Sequence, residues 1–216
     1  MNLDMSVVVK YIPFLLEATF LTIKISVLAI AVSIIVGFVF AMFKLSQYKV
    51  LNKLSDLYVE IIRGVPLLVQ LYLLYFGLPQ LGIELSAFVA SVLGLGLYAG
   101  SYVAEIFRGS IQSIPKGQME AARSLGMSYF QAMRKVILPQ AFRYSLPPMG
   151  NQLIITVKNS SLCSIITANE LMHSTSRFAS VNFAFLEFLL VASAIYLILT
   201  YAISLMVKYM EKKLSV

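Results

Sequence analysis

Five long apolar stretches, separated by short gaps that collect the charge, organise this chain. They run from about Leu15 to Phe43, Leu54 to Phe76, Ser86 to Phe107, Leu146 to Thr167 and Phe183 to Val207. A helix needs about 20 apolar residues to cross a bilayer, and each stretch is that long. No strand-like alternation competes with them, so helix is the expected state throughout. The first stretch exceeds a single span, and its start, with Glu17 and Lys24, is expected to tilt or lie near the interface. The second carries Asp56, Glu60 and Arg63 in its first half, and Gly77, Pro79 and Gly82 mark a turn after it. In the third, Gly96 and Gly100 have the small-xxx-small spacing that lets helices approach closely.

Composition changes the solvent. The 216 residues are 59% hydrophobic and 12% charged, about half the charged fraction of a soluble domain. The expectation is one all-α integral membrane domain over residues 1–216, with about five transmembrane helices. The net charge of +7 does not indicate nucleic acid, because the Lys and Arg lie in the gaps and line no single polar face. With the N-terminus outside, the inner side receives Lys44, Lys49, Lys53, Arg108, Lys116, Arg123, Arg134, Lys135, Arg143, Lys208, Lys212 and Lys213. The outer side keeps Lys10 and Arg177, so the C-terminus is expected in the cytoplasm. The start, MNLDMSVVVKYIPF, has no basic segment before its apolar run, and no cleaved signal peptide is expected. Cys163 is the only cysteine and His173 the only histidine, so neither a disulfide nor a zinc site is expected. Cys163 reads as a packing residue, and His173 as a solvated residue of an outer loop after Glu170.

The polar insert at about 113–140 stands apart. Pro115 suits the opening of a helix, Lys116 to Leu125 places Met119, Ala122 and Leu125 at helical spacing, and Gly126 fits a left-handed C-terminal cap. Ser128 is an N-cap for a second helix from Tyr129 to about Ile137, which Pro139 is expected to break or kink. A basic interfacial helix binding lipid headgroups would account for part of this pattern. Ala121 and Ala122, which leave the backbone approachable, and the fixed angle at Gly126 favour docking to a partner instead.

The order Glu120-Ala121-Ala122, Gly126 and Ile137-Leu138-Pro139 resembles the coupling-loop motif of ABC importer permeases, with Val136 where the family has Ile. The stretches RGVPL (63–67), YAGSYVAEIFRGSI (98–111) and GN with VKNSSL (150–151, 157–162) resemble segments of its polar amino acid branch over roughly residues 10–212. That resemblance implies a type I (MetI-like) importer permease in a bacterial cell membrane, importing polar amino acids of the histidine, glutamine, arginine or cystine kind. It implies two ATP-binding-cassette subunits docked on Glu120, Ala121, Ala122, Gly126, Leu138 and Pro139, and a second permease chain, identical or homologous. An extracellular or periplasmic substrate-binding protein would deliver the amino acid. ATP and Mg²⁺ would sit on the partner ATPase and no cofactor on this chain, which has no Gly-x4-Gly-Lys phosphate loop.

In the fourth stretch Gln152, Thr156, Asn159, Ser160 and Cys163 recur at helical spacing and form one polar face. Helix–helix hydrogen bonding is one meaning of such a face. The other is a substrate pathway through Gln152, Thr156, Asn159 and Ser160, the segment that lines the central cavity in the family. Where some relatives have acidic residues at the positions of Gln152 and Asn159, this chain has amides, which offer no charge to a cationic side chain. Glu60, Arg63, Glu105 and Lys158 are expected to form structural ion pairs, Glu60 with Arg63 and Glu105 with Arg108, or Lys158 with a carboxylate of another helix. No catalytic residue is expected. An intramembrane serine hydrolase would need a base beside its Ser, and Lys158 is two residues from Ser160, off its face. An ion-gradient-coupled transporter using Glu60 and Glu105 is the remaining alternative.

Overall fold

The computed structural model describes residues 4–214, and among them the chain is helical with no strand. A short α1 (Ser6–Val9) precedes α2 (Ile12–Lys44), which holds Pro13 in its first turn, where an N–H has no helical partner to lose. Next come α3 (Lys49–Gly64) and α4 (Leu67–Tyr72), the latter extended by a π-helical turn at Leu73–Gly77 and a 3-10 turn at Leu78–Leu81. Then α5 (Ala87–Gln112) begins, with the Ser86 hydroxyl capping it by accepting from the Val89 amide. The polar insert forms α6 (Lys116–Ser124) and α7 (Tyr129–Ala132), and a π-helical turn at Met133–Ile137 leads into α8 (Leu138–Asn159). After a 3-10 segment at Ser160–Ile166 the chain closes with α9 (Leu171–Asn182) and α10 (Phe185–Leu214).

Among the described residues three helices are long and apolar enough to span a membrane: Ile12–Lys44, Ala87–Gln112 and Phe185–Lys213. A fourth is obtained if the bent pair α3–α4 counts as one span. The expected fourth stretch corresponds to α8, which starts eight residues earlier than the Leu146 read from hydropathy and is too polar to pass the same test.

Two breaks differ from expectation. The second stretch is not one helix, because α3 and the segment after it meet at 99°. Val65 is extended (φ −99°, ψ 129°), as the residue before a proline prefers, and Pro66 follows at ψ 138°. Conversely, Pro139 does not break the chain. The wider π-helical turn ahead of it, closed by the Leu138 amide on the Met133 carbonyl, absorbs the missing N–H, and the helix continues.

The core is the seam between α2 and α5. In lipid, apolar burial does not drive such a seam, so close van der Waals packing has to. Small residues supply it: Ala29, Ala41, Ala99, Ala104, Gly37, Gly96 and Gly100 face the join. A Cβ at Gly96 would lie 2.7 Å from Val32, and one at Gly100 2.8 Å from the Tyr58 hydroxyl, which donates to the Leu97 carbonyl at 2.6 Å. The small-xxx-small pair thus seats α5 against α2 and α3 together. On α10, Leu197, Ile198 and Tyr201 remain exposed, as befits a lipid-facing surface.

Candidate functional site

The polar insert is a built elbow. At the end of α6 the Met127 amide donates to the Ala122 carbonyl and the Gly126 amide to the Arg123 carbonyl, with Gly126 at φ +82°. These are the bonds of a Schellman cap, which satisfies carbonyls that a helix end leaves unpaired. Two residues on, the Ser128 hydroxyl accepts from the Gln131 amide and the Gln131 side chain accepts from the Ser128 amide, a reciprocal capping box. The elbow is fastened to the bundle by Ile111, Ile114, Ile137 and Ala141, with Met119 and Met133 packed on them. Its tip faces away. Leu125 is 81% and Phe130 72% exposed, Tyr129 is exposed beside them, and Glu120, Ala121, Gly126 and Pro139 are also exposed. Ala122 and Leu138 differ: Ala122 is buried and Leu138 half-buried, so they hold the elbow's underside.

A second concentration of polar groups lies between α3 and α5. Arg63 does not pair with Glu60 as its spacing suggested. Its Nη2 donates to the Ser101 carbonyl at 2.8 Å, and its guanidinium carbon stands 4.3 Å from the Tyr102 ring centroid. The Tyr98 and Tyr102 hydroxyls are 3.1 Å apart on the same face of α5. One turn on, Glu105 holds Arg108 by contacts of 2.6 to 3.1 Å, the expected ion pair. A pair that spacing did not suggest joins Lys44 to Asp56, tying the end of α2 to α3.

The polar face of α8 is turned mostly inward. Gln152, Thr156 and Ser160 are buried within the subunit, and only Asn159 is partly exposed. The Thr156 hydroxyl donates to the Gln152 carbonyl and the Ser160 hydroxyl to the Val157 carbonyl, so both are satisfied by their own helix. The outward face of α8 carries Tyr144, Asn151, Ile155 and Lys158. Among the described residues Lys158 makes no ion pair, contrary to expectation: Glu105 is held by Arg108, and Lys158 lies on the exposed side.

A further cluster escaped the sequence entirely. Glu170 is fully buried. Its carboxylate accepts from the Tyr196 hydroxyl at 3.0 Å and caps α9 by accepting from the His173 amide at 2.7 Å. The Leu171 amide donates to the Thr22 hydroxyl at 3.0 Å, so the start of α9 is tied to α2 and α10. Burial pushes the Glu170 carboxyl up to about 7, and the hydrogen bonds offset that in part. His173 is half-buried in α9, with Nδ1 3.1 Å from the Ser164 carbonyl, and so is not the solvated loop residue expected. Its neighbour in sequence, Glu170, carried no local pattern that would have revealed a partner 148 residues away at Thr22.

Comparison with known proteins follows the same lines as the geometry. Residues 8–216 match the family model described as binding-protein-dependent transport system inner membrane component. The arginine transport system permease protein ArtQ of Bacillus subtilis (strain 168) is 38% identical over 100% of this chain and 99% of its own length. The probable glutamine ABC transporter permease protein GlnM of the same organism is 37% identical over 99% of each chain. Among solved structures, a chain from the crystal structure of an amino acid ABC transporter with histidines superposes with a TM-score of 0.92, at 38% identity, over 99% of this chain and 100% of that one. The capped elbow, the spanning helices around it and this full-length similarity together show that the chain belongs to the inner-membrane components of binding-protein-dependent transport systems, the ABC transporter permeases, and is a transport subunit whose ATPase is a separate chain.

Proposed function

We propose that this subunit forms one half of the pathway of an ATP-driven importer of polar amino acids in a bacterial inner membrane. The observation that carries the reading is the elbow: a rigidly capped turn, rooted in the bundle by Ile111, Ile114 and Ile137, that presents Leu125, Tyr129 and Phe130 to a partner. Exposed aromatic and aliphatic side chains at such a tip suit insertion into a groove of another protein. The substrate class is supported by the relatives' names, which mention glutamine and arginine. In this reading the elbow lies in the cytoplasm with the C-terminus, the N-terminus lies outside, and two ATP-binding-cassette subunits grip two permease chains. A binding protein delivers substrate from outside. ATP binding draws the ATPases together, the elbows move with them and the helices open outward; hydrolysis resets the inward-facing state.

The pathway wall is assigned to the end of α8, with Gln152, Thr156 and Asn159, and to Ser160 at the start of the 3-10 segment that follows, reached through Asn159, the least buried of them. Because these groups are uncharged, neutral polar amino acids suit it better than arginine or lysine. A complex that imports arginine far better than every neutral amino acid would overturn that preference. The docking assignment is tested by co-purification of the ATPase with Glu120→Lys and Gly126→Pro variants. Loss of the ATPase from both is expected, and retention with normal transport in both would refute it.

A further inference from the structure

We propose that a groove between α2, α8 and α10 binds one anionic phospholipid of the leaflet nearer the elbow, with an acyl chain lying in the groove and the phosphate held by Arg143 and Lys213. The groove encloses about 200 Å³. Its walls include Ile30 and Ile34 of α2, Phe142 and Leu153 of α8, and Met206 and Met210 of α10. Phe142, Met206 and Met210 are exposed, so the groove opens on the subunit surface. From Phe142 to Leu153 it follows α8 for about 17 Å, at about 1.5 Å per residue. One leaflet supplies half of a hydrocarbon layer about 30 Å thick, so the groove has the reach of one acyl chain. Ser145 is the one polar side chain in its lining, and the Ser145 hydroxyl already donates to the Phe142 carbonyl at 2.7 Å. A zwitterionic amino acid would lose its water there and gain no partner, so the groove is no part of the solute pathway. A hydrocarbon chain loses nothing, and the unbranched Met149, Met206 and Met210 can fit around it.

Charge at one end of the groove makes the lipid anionic. Arg143 precedes Leu146 and Gly150, both in the lining, by three and seven residues, so it continues the groove's stripe on α8. Lys213 follows Met210 and Met206 by three and seven residues and continues the stripe on α10. The two helices meet closely, since a Cβ at Gly150 would lie 2.4 Å from Val207. From that crossing α8 leads back to the elbow and α10 leads to its own C-terminal end, so both cations lie beyond the groove on the elbow's side. Both are exposed, and neither makes an ion pair among the described residues, where Lys44 holds Asp56 and Arg108 holds Glu105. The nearby carboxylate of Glu211 is half-buried and also makes no ion pair there, and Lys208 and Lys212 leave this end positive. A fork of guanidinium donors and an ammonium, set at the mouth of a chain-length apolar groove, match a phosphodiester with a fatty chain attached.

The experiment uses the assembled complex, permease with its ATPase, in bilayers of phosphatidylcholine. The permease chain contains no Trp, so Met210→Trp places a reporter at the groove's mouth, read against the same complex without it. Its fluorescence is titrated with brominated phosphatidylglycerol and with brominated phosphatidylcholine, either of which quenches it on contact. Phosphatidylglycerol is expected to quench at about a tenfold to thirtyfold lower fraction, since each basic side chain near an anionic headgroup contributes about fivefold. Arg143→Gln with Lys213→Gln should remove that preference and leave quenching by phosphatidylcholine unchanged. If that combination does not assemble, Lys213→Gln alone should lower the preference by about fivefold. Leu205→Trp is the control: it shares a stripe of α10 with Lys208 and Lys212 but lies outside the groove, and a preference of no more than a few-fold is expected there. Equal preference at Met210→Trp and Leu205→Trp would mean general attraction to a basic surface and would overturn the site. So would an undiminished preference in the Arg143 and Lys213 variants, or no quenching by either lipid at Met210→Trp, the result if a second permease copy covers the groove.

Discussion

Alanine at Gly126 and alanine at Gly117 should have opposite effects on the elbow. Neither glycine has any atom within 4 Å of where a Cβ would be, so neither substitution creates a clash. They differ only in backbone. Gly126 sits at φ +82° in the cap, whereas Gly117 lies inside α6 with an ordinary helical φ. A left-handed conformation costs an L-residue about 1–2 kcal/mol, so Gly126→Ala should weaken the cap by that amount. Replacing Gly117, in the first turn of α6, should instead stabilise by at most about 0.5–1 kcal/mol, the gain for a glycine in a helix interior. Hydrogen exchange on the detergent-solubilised protein reads the result at the Met127 amide, which is bonded to the Ala122 carbonyl at 3.2 Å. Since about 1.4 kcal/mol is a tenfold change, that amide should exchange roughly 5- to 30-fold faster in Gly126→Ala and at most a few-fold slower in Gly117→Ala. Wild-type or slower exchange in Gly126→Ala would refute the cap as the source of the elbow's rigidity.

Other expectations follow from the same geometry. Ser128→Ala removes the acceptor for the Gln131 amide, and faster exchange there, by an amount matching about 1 kcal/mol, is expected. Gly37→Ala puts a Cβ 2.6 Å from Val103 and 2.9 Å from the Ala104 backbone nitrogen, so a loss of about 1–3 kcal/mol should appear as a lower melting temperature in detergent. Glu170 has its folded pKa raised from 4.5 to about 7, so the native state binds more protons than the unfolded one between those values. Stability should therefore fall as pH rises through that window, by on the order of 3 kcal/mol, and melts of Glu170→Gln at pH 5 and pH 8 should show a much smaller difference than the wild type.

What the sequence made legible was local. Apolar runs marked the spanning helices, and Pro115, Gly126 and Ser128 marked the elbow, because caps are decided by residues a few positions apart. What it hid was long-range or directional. Helical spacing of Gln152, Thr156 and Ser160 defined a face, but periodicity cannot say whether a face meets water or another helix, and this one is buried. Glu60 and Arg63 share a face by spacing, yet the Ser101 carbonyl, 38 residues away, takes the guanidinium. The bend at Pro66 was hidden because mean hydropathy runs straight through it, while the backbone of Val65 does not. At Pro139 the rule that proline ends helices gave way to a π-helical turn, for which no local residue pattern was read.

The account's central claim is that this chain is moved by a separate ATPase acting through the elbow. Concentrative uptake of labelled amino acid into proteoliposomes tests it most directly, with the substrate-binding protein supplied throughout, the permease subunits reconstituted with and without the ATPase, and ATP or an imposed proton or sodium gradient as the energy source. Accumulation only when both ATPase and ATP are present is the predicted result. Accumulation driven by an ion gradient, in vesicles that contain no ATPase, would contradict it.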